Sequence, residues 1–321
     1  MSKVAGKIPG IAKQTSATRR LERLLNNPAI RVRAWYEPIA RQWLEAQARN
    51  VIHLQLILDG TKIERGHQLL MVGPAYHRRA IPITWTWVKH TREHSSARGI
   101  LALFAYVKSL LPAEIAVLLV DDCEFGSIET LKQPENWHWV YVLCQKTNAQ
   151  VCLAQTIEWK SFESYIQKAG QSIWLGTAWL TESKIHLTIL LVHWKIGEKV
   201  PWCLATNLPD RQMALKAYSR RMWIEMFGDF KKHGFGLESS MLRNFLRLSH
   251  LTLAITLLYS WLVSVGGRTI RAGLCHLVDR VDRRDLFIFQ IGPRFIERRL
   301  PMPCQCLLNS VFFSKSKLSG G

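Results

Sequence analysis

Hydrophobic and polar positions divide the chain into strand-like and helix-like stretches. In VIHLQLILDGTKI, residues 51–63, Val51, His53, Gln55 and Ile57 alternate with Ile52, Leu54, Leu56 and Leu58. This largely apolar, partly β-branched run stops at Asp59-Gly60, which predicts a buried strand closing in a turn. A second apolar run, Ile115 to Val120, goes straight into Asp121-Asp122 and then a glycine-containing turn before a helix-like stretch. Between the two runs, residues 66–88 contain two strand-like runs around Pro74, and residues 96–112 a helix-like run ended by Pro112. Farther on, the short apolar runs Val151 to Ala154, Ile173 to Leu180 and Ile185 to Trp194 are separated by polar turns and predict further strands. Leu251 to Val265 is apolar but interrupted by Thr252, Thr256, Tyr259 and Ser260; as a run it is too short for a bilayer and predicts a buried helix.

The stretch YSRRMWIEMFGDFKK, residues 218–232, has helical periodicity with an uncommon polar face. At about 100° per residue, Tyr218, Arg221, Glu225 and Lys232 fall within an arc of about 60°. Leu215, Met222, Trp223, Met226, Phe227 and Phe230 occupy a separate, broader arc. A solvated face mixes Lys and Glu freely; this one offers a single carboxylate beside two cations and a phenol, which suits a metal ion next to phosphate oxygens.

The order Tyr218, Arg221, Glu225, Lys232 resembles the YREK pattern of DDE insertion-sequence transposases of the hairpin-forming group, the insertion sequence four family. Asp121-Asp122-Cys123-Glu124-Phe125-Gly126 is similar to that family's Gly-Asp-x-Glu-Phe-Gly, with Asp121 in place of the usual glycine and Cys123 where Arg or Ser is common. The alignment selects Asp122 over Asp121 as metal ligand; on the residues alone the choice stays open. Asp59 stands at the end of the first strand, although an aspartate before glycine is also an ordinary turn. The resemblance covers residues from about 50 to 300 and includes GFGLESSMLRNFLRLSHLTLAITLLYSWLVSVGG and VDRRDLFIFQIGPRFIERRL after the YREK stretch.

This resemblance implies an α/β, RNase H-like mixed sheet flanked by helices, with a β-rich insertion before the last catalytic helix. The expected divisions are a basic N-terminal segment 1–50, core 51–144, insertion 145–207, core with catalytic helix 208–300, and a tail 301–321. It also implies that Asp59, Asp122 and Glu225 hold Mg²⁺, with Mn²⁺ able to substitute, for two-metal cutting and joining of DNA at transposon ends. One ion would activate water or a 3′-hydroxyl while the other stabilises the leaving oxygen. Tyr218, Arg221 and Lys232 would grip DNA phosphates. The partners would be double-stranded DNA at transposon ends and target, and a second copy of the chain on that DNA. The competing reading of the same residues is a transposase relic that binds DNA without cutting it.

Composition fits a polyanion-binding protein. In 321 residues, 43 Lys+Arg against 24 Asp+Glu give a formal net charge of +19. The pairs Arg19-Arg20, Arg78-Arg79, Arg220-Arg221, Lys231-Lys232 and Arg298-Arg299 are scattered along the chain, where they can line a phosphate path or simply face water. Seven cysteines, an odd number without paired CxxC motifs, predict reduced thiols in a cytosolic protein, which the family resemblance implies is prokaryotic and nucleoid-associated. The basic N-terminus lacks an apolar signal core, so no membrane partner is expected. His90-Thr-Arg-Glu93-His94 fits the H-x-x-E-H pattern of zinc peptidases, a minor alternative that needs a helix; after the Trp-rich strand-like run, a polar connection is the plainer reading.

Overall fold

A computed structural model of the chain describes residues 5–6, 11–63, 66–89, 97–182, 186–224, 229–230 and 234–299. Glu225, Lys232, the His90–His94 motif and residues 301–321 lie outside them. The chain forms two compact units, residues 1–250 and 251–321.

The first unit opens with two helices, α1 (Gln14–Asn26) and α2 (Val32–Ala48). Five strands then build the heart of the sheet: β1 (His53–Ile63), β2 (His67–Tyr76), β4 (Thr84–Lys89), β5 (Ala116–Val120) and β6 (Val140–Gln145), with the two-residue β3 (Arg79–Ala80) on the edge of β2. Helix α3 (Ala97–Leu110) links β4 to β5, and α4 (Ile128–Asn136) links β5 to β6. Strand β2 runs antiparallel to both β1 and β4, whereas β1, β5 and β6 are parallel. The resulting order, β4-β2-β1-β5-β6, is that of an RNase H-like core, as the sequence implied. Parallel neighbours need a crossover covering a face, and α3 and α4 supply it.

Alternation then sorts the side chains of the sheet. Leu56 and Leu58 of β1 with Val117 and Leu119 of β5 join Phe104 and Leu131 in one buried core. The opposite face of β1 carries Gln55, Ile57 and Asp59.

The apolar runs after residue 145 become β7 (Gln150–Leu153), β8 (Lys160–Ser161), β9 (Ser172–Leu180), β10 (His186–His193) and β11 (Trp202–Thr206). Strand β11 pairs antiparallel with β6, so these strands continue the same sheet in the order β6-β11-β10-β9-β7-β8. Helix α5 (Arg211–Ser219) follows, its N-terminus capped by the Asp210 side chain, which accepts from Met213 N at 2.8 Å.

Three expectations need correcting. The strand expected to close in a turn at Asp59-Gly60 instead runs through both residues to Ile63, held by its pairing with β2. The helix predicted over 218–232 does not run unbroken: α5 stops at Ser219, and Arg220–Ile224 continue as a 3₁₀ turn. The apolar run at 251–265 belongs to a longer helix, α6 (Phe245–Arg271), whose 27 residues are long and apolar enough by themselves to cross a membrane. Much of α6 is nevertheless buried within the protein, including Thr252, Thr256 and Ser260. The second unit also contains α7 (Ile288–Arg299), whose Phe289 ring stacks on Tyr259 at 5.1 Å.

Candidate active site

Strand register places the two aspartates together. Ile57 of β1 lies opposite Val120 of the parallel β5, and two residues farther along each chain stand Asp59 and Asp122. Equal steps of two keep both side chains on one face, whereas Asp121 is out of phase by one. Asp121 is fully buried and accepts from Cys144 N of β6 at 2.9 Å through Oδ1. Its Oδ2 has no hydrogen-bond partner among the described residues, and complete burial holds its carboxyl well above the usual range.

Asp59 and Asp122 are built alike. Asp59 Oδ1 accepts from Gly60 N at 2.7 Å, and Asp122 Oδ1 accepts from Cys123 N at 2.7 Å. Each carboxylate thus spends one oxygen on the amide that follows it and turns the other toward Arg221. Arg221 Nη1 lies 3.1 Å from Asp122 Oδ2 and 3.8 Å from Asp59 Oδ2. Burial pushes the Asp59 carboxyl up to about 7; the charges of Asp122 and Glu124 add to this, while Arg221 and the Gly60 amide oppose it.

Gln55 explains why Arg221 arrives there. Its side chain, on the Asp59 face of β1, donates to Ala217 O at 2.8 Å and accepts from Arg220 Nη1 at 3.0 Å. These two bonds fasten the C-terminal end of α5 to the sheet just before Arg221. Tyr218, 1% exposed, packs edge-on against Trp202 of β11 at 5.0 Å, and the Arg221 guanidinium carbon lies 5.9 Å from the Tyr218 ring centre. Burial raises the Tyr218 phenol above its usual range. The expected division of this segment into a polar functional face and an apolar packing face therefore fails in part: Tyr218 is core, while Met222 is exposed. Arg221 does meet Asp59 and Asp122, with Tyr218 beside its guanidinium; Glu225 and Lys232 lie outside the described residues.

Several contributors escape sequence reading. Gly60 leaves room for its neighbours: a Cβ there would stand 2.7 Å from Gln68 Nε2 and 3.0 Å from Phe125 Cζ. Gln68 in turn donates to Glu124 Oε1 at 2.9 Å, holding a third carboxylate close enough to act on Asp59. Gly126 lets the loop after Asp122 press onto β6, since a Cβ would fall 2.5 Å from Cys144 O. That close approach also joins Cys123 to Cys144 as a disulfide, with Cα atoms 4.3 Å apart. The expectation of reduced thiols is wrong for this pair, which sits 21 residues apart in sequence with no telltale spacing. Gln55 carried the one legible signal, a polar side chain inside a buried strand.

The donor set suits a hard divalent cation: Asp59 and Asp122 offer carboxylate oxygens, and one guanidinium balances only half of their combined charge. Asp121 Oδ2 adds a buried carboxyl oxygen without a hydrogen-bond partner among the described residues. Among the described residues no three His, Cys, Asp or Glu side chains converge as a metal-binding group.

No protein-family model matches the chain, and no curated protein sequence does. Among solved structures, it is similar to a piggyBac transposase seen by cryo-electron microscopy in a synaptic complex with hairpin DNA, at 12% identity and a TM-score of 0.41. The similarity spans 91% of this chain but only 62% of that one. Identity this low leaves any activity to rest on the chain's own residues.

Proposed function

We propose that this chain cuts and joins DNA phosphodiester bonds as a transposase of the DDE type. The observation that carries the reading is the pairing of Asp59 and Asp122. Asp59 lies on β1 and Asp122 just past the end of the parallel β5; each stands two residues beyond a common register, and both surround one guanidinium. The Asp59 side chain is 14% exposed and that of Asp122 36%; a shielded carboxylate set beside a second acid and a cation in this way is a candidate for function.

Asp59, Asp122 and Glu225 are the residues we assign to holding Mg²⁺ or Mn²⁺. Divalent cations bound there supply charge that lowers the pKa of an attacking hydroxyl and stabilises a leaving oxygen. The protein's own part is orientation. The Gly60 and Cys123 amides fix one oxygen of each aspartate. Gln55 pins α5, and Tyr218 supports the Arg221 guanidinium, which is a fork donor suited to a phosphate. Lys232 is assigned to the phosphate path as a point charge, and the net charge of +19 favours DNA as the polyanion. A pair of such chains on two DNA ends is part of the proposal.

The test is cleavage of a supercoiled plasmid bearing the DNA that flanks the gene, in Mg²⁺ or Mn²⁺. The wild type should cut. Asp59→Asn, Asp122→Asn and Glu225→Gln should each lose about a hundredfold or more in rate while DNA binding, which rests on Lys and Arg, persists. Cutting by Asp122→Asn but not by Asp121→Asn would reassign the second ligand, and normal cutting by all three variants would refute the mechanism. Binding without cutting by the wild type would instead establish the alternative, a DNA-binding relic.

A further inference from the structure

Arg221 holds the oxygens that a divalent cation would need. Asp59 and Asp122 each commit Oδ1 to a backbone amide, which leaves the two Oδ2 atoms, and both face the same Nη1 of Arg221 at 3.8 and 3.1 Å. A metal ion and the guanidinium therefore compete for the same two atoms.

The guanidinium is also imperfectly docked. Its Nε is buried without a hydrogen-bond partner among the described residues, and Nη2 finds only the Met222 sulfur, at 3.9 Å. Arg221 belongs to the 3₁₀ turn after α5, so an α-helical hydrogen-bond ladder does not lock its backbone. A buried arginine with unused donors gains from exchanging a shared carboxylate contact for a phosphate that accepts two parallel bonds.

We propose that Arg221 is an exchangeable counter-ion: without DNA it holds Asp59 and Asp122 together and opposes metal loading, and when DNA and the cation bind together it passes to a backbone phosphate and frees both carboxylates for the cation. DNA and divalent cation then bind cooperatively, each raising the affinity for the other by the same factor. The inference rests on Asp59 and Asp122 being cation ligands.

The experiment has two arms, both on the full chain. In the first, Mn²⁺ is titrated calorimetrically into DNA-free protein. Arg221→Gln should bind Mn²⁺ about tenfold more tightly than wild type, because a unit positive charge a few ångströms from the ion is gone. Arg221→Lys, which keeps charge but loses the fork, should gain less, and it protects the test against a misfolded Gln variant. In the second arm, a labelled 30-base-pair duplex is titrated at several salt concentrations, followed by anisotropy, in EDTA and in Ca²⁺. Wild type and Arg221→Gln should share one log affinity against log salt slope in EDTA, and differ by about one unit in Ca²⁺, where Arg221 has moved to a phosphate. Mn²⁺ binding that ignores Asp59→Asn would show that the cation site itself is misplaced. Mn²⁺ binding that depends on Asp59 but is no tighter in either Arg221 variant would refute the exchange alone.

Discussion

Replacing Asp59 by Asn should make the metal-free protein more stable at alkaline pH, even as it removes a residue assigned to catalysis. Burial and neighbouring carboxylates lift the Asp59 carboxyl from 3.8 to about 7. Between those values the folded chain holds a proton that the unfolded chain has lost. The group's stabilising contribution is therefore complete below pH 4 and disappears as pH rises through 7. Over the full range the shift corresponds to roughly 4 kcal/mol, of which about 2–3 kcal/mol falls between pH 5 and pH 8. Asn has nearly the same shape and does not titrate, so Asp59→Asn should lack that loss. The assay is urea unfolding in EDTA, followed by tryptophan fluorescence, at pH 5 and pH 8 for both proteins. The difference in unfolding free energy, variant minus wild type, should grow in favour of the variant by about 2 kcal/mol or more across that interval. Mg²⁺ should shrink the gap at pH 8 by binding the ionised wild-type site. Equal pH dependence for the two proteins would show that Asp59 is not the strained carboxylate described above.

Two other perturbations probe the supports of the site. Gln55→Leu strands both Ala217 O and Arg220 Nη1 and should cost about 1–3 kcal/mol in urea unfolding; cleavage should fall further than this stability loss accounts for, because Arg221 loses its anchor. Gly60→Ala must push Gln68 from its bond to Glu124 and should cost about 1–3 kcal/mol, and an unchanged unfolding midpoint would show that the strand has room there.

Local patterns made much of this legible. Strand β1 announced itself by a long apolar alternation that stops at Asp59-Gly60, and β5 by an unbroken apolar run before Asp121-Asp122. Each signal lies within one short segment. The choice between Asp121 and Asp122 does not, because it depends on the Ile57–Val120 register, a contact between segments 63 positions apart. Tyr218 and Arg221 were singled out by spacing, but the helix drawn through them was too long. Gln55 and Trp202 hold this stretch by long-range contacts, and such contacts override a local preference for continued helix. The runs at 173–180 and 185–194 did become strands, β9 and β10. Their place in one sheet with β6 depends on β11 pairing back to it, which no periodicity records.

The shared step of two residues beyond the β1–β5 register makes the site sensitive to counting as well as to chemistry. Inserting or deleting one residue between Leu54 and Asp59 would carry the aspartate to the opposite face and bring Leu58 (insertion) or Gly60 (deletion) against Arg221. A change of two residues would restore the face but displace the carboxylate by about 6–7 Å along the strand. Single-codon insertions or deletions immediately before Asp59 are therefore expected to abolish cleavage, whereas indels of the same size between β10 and β11, at the exposed Gly197 turn, should be borne far better.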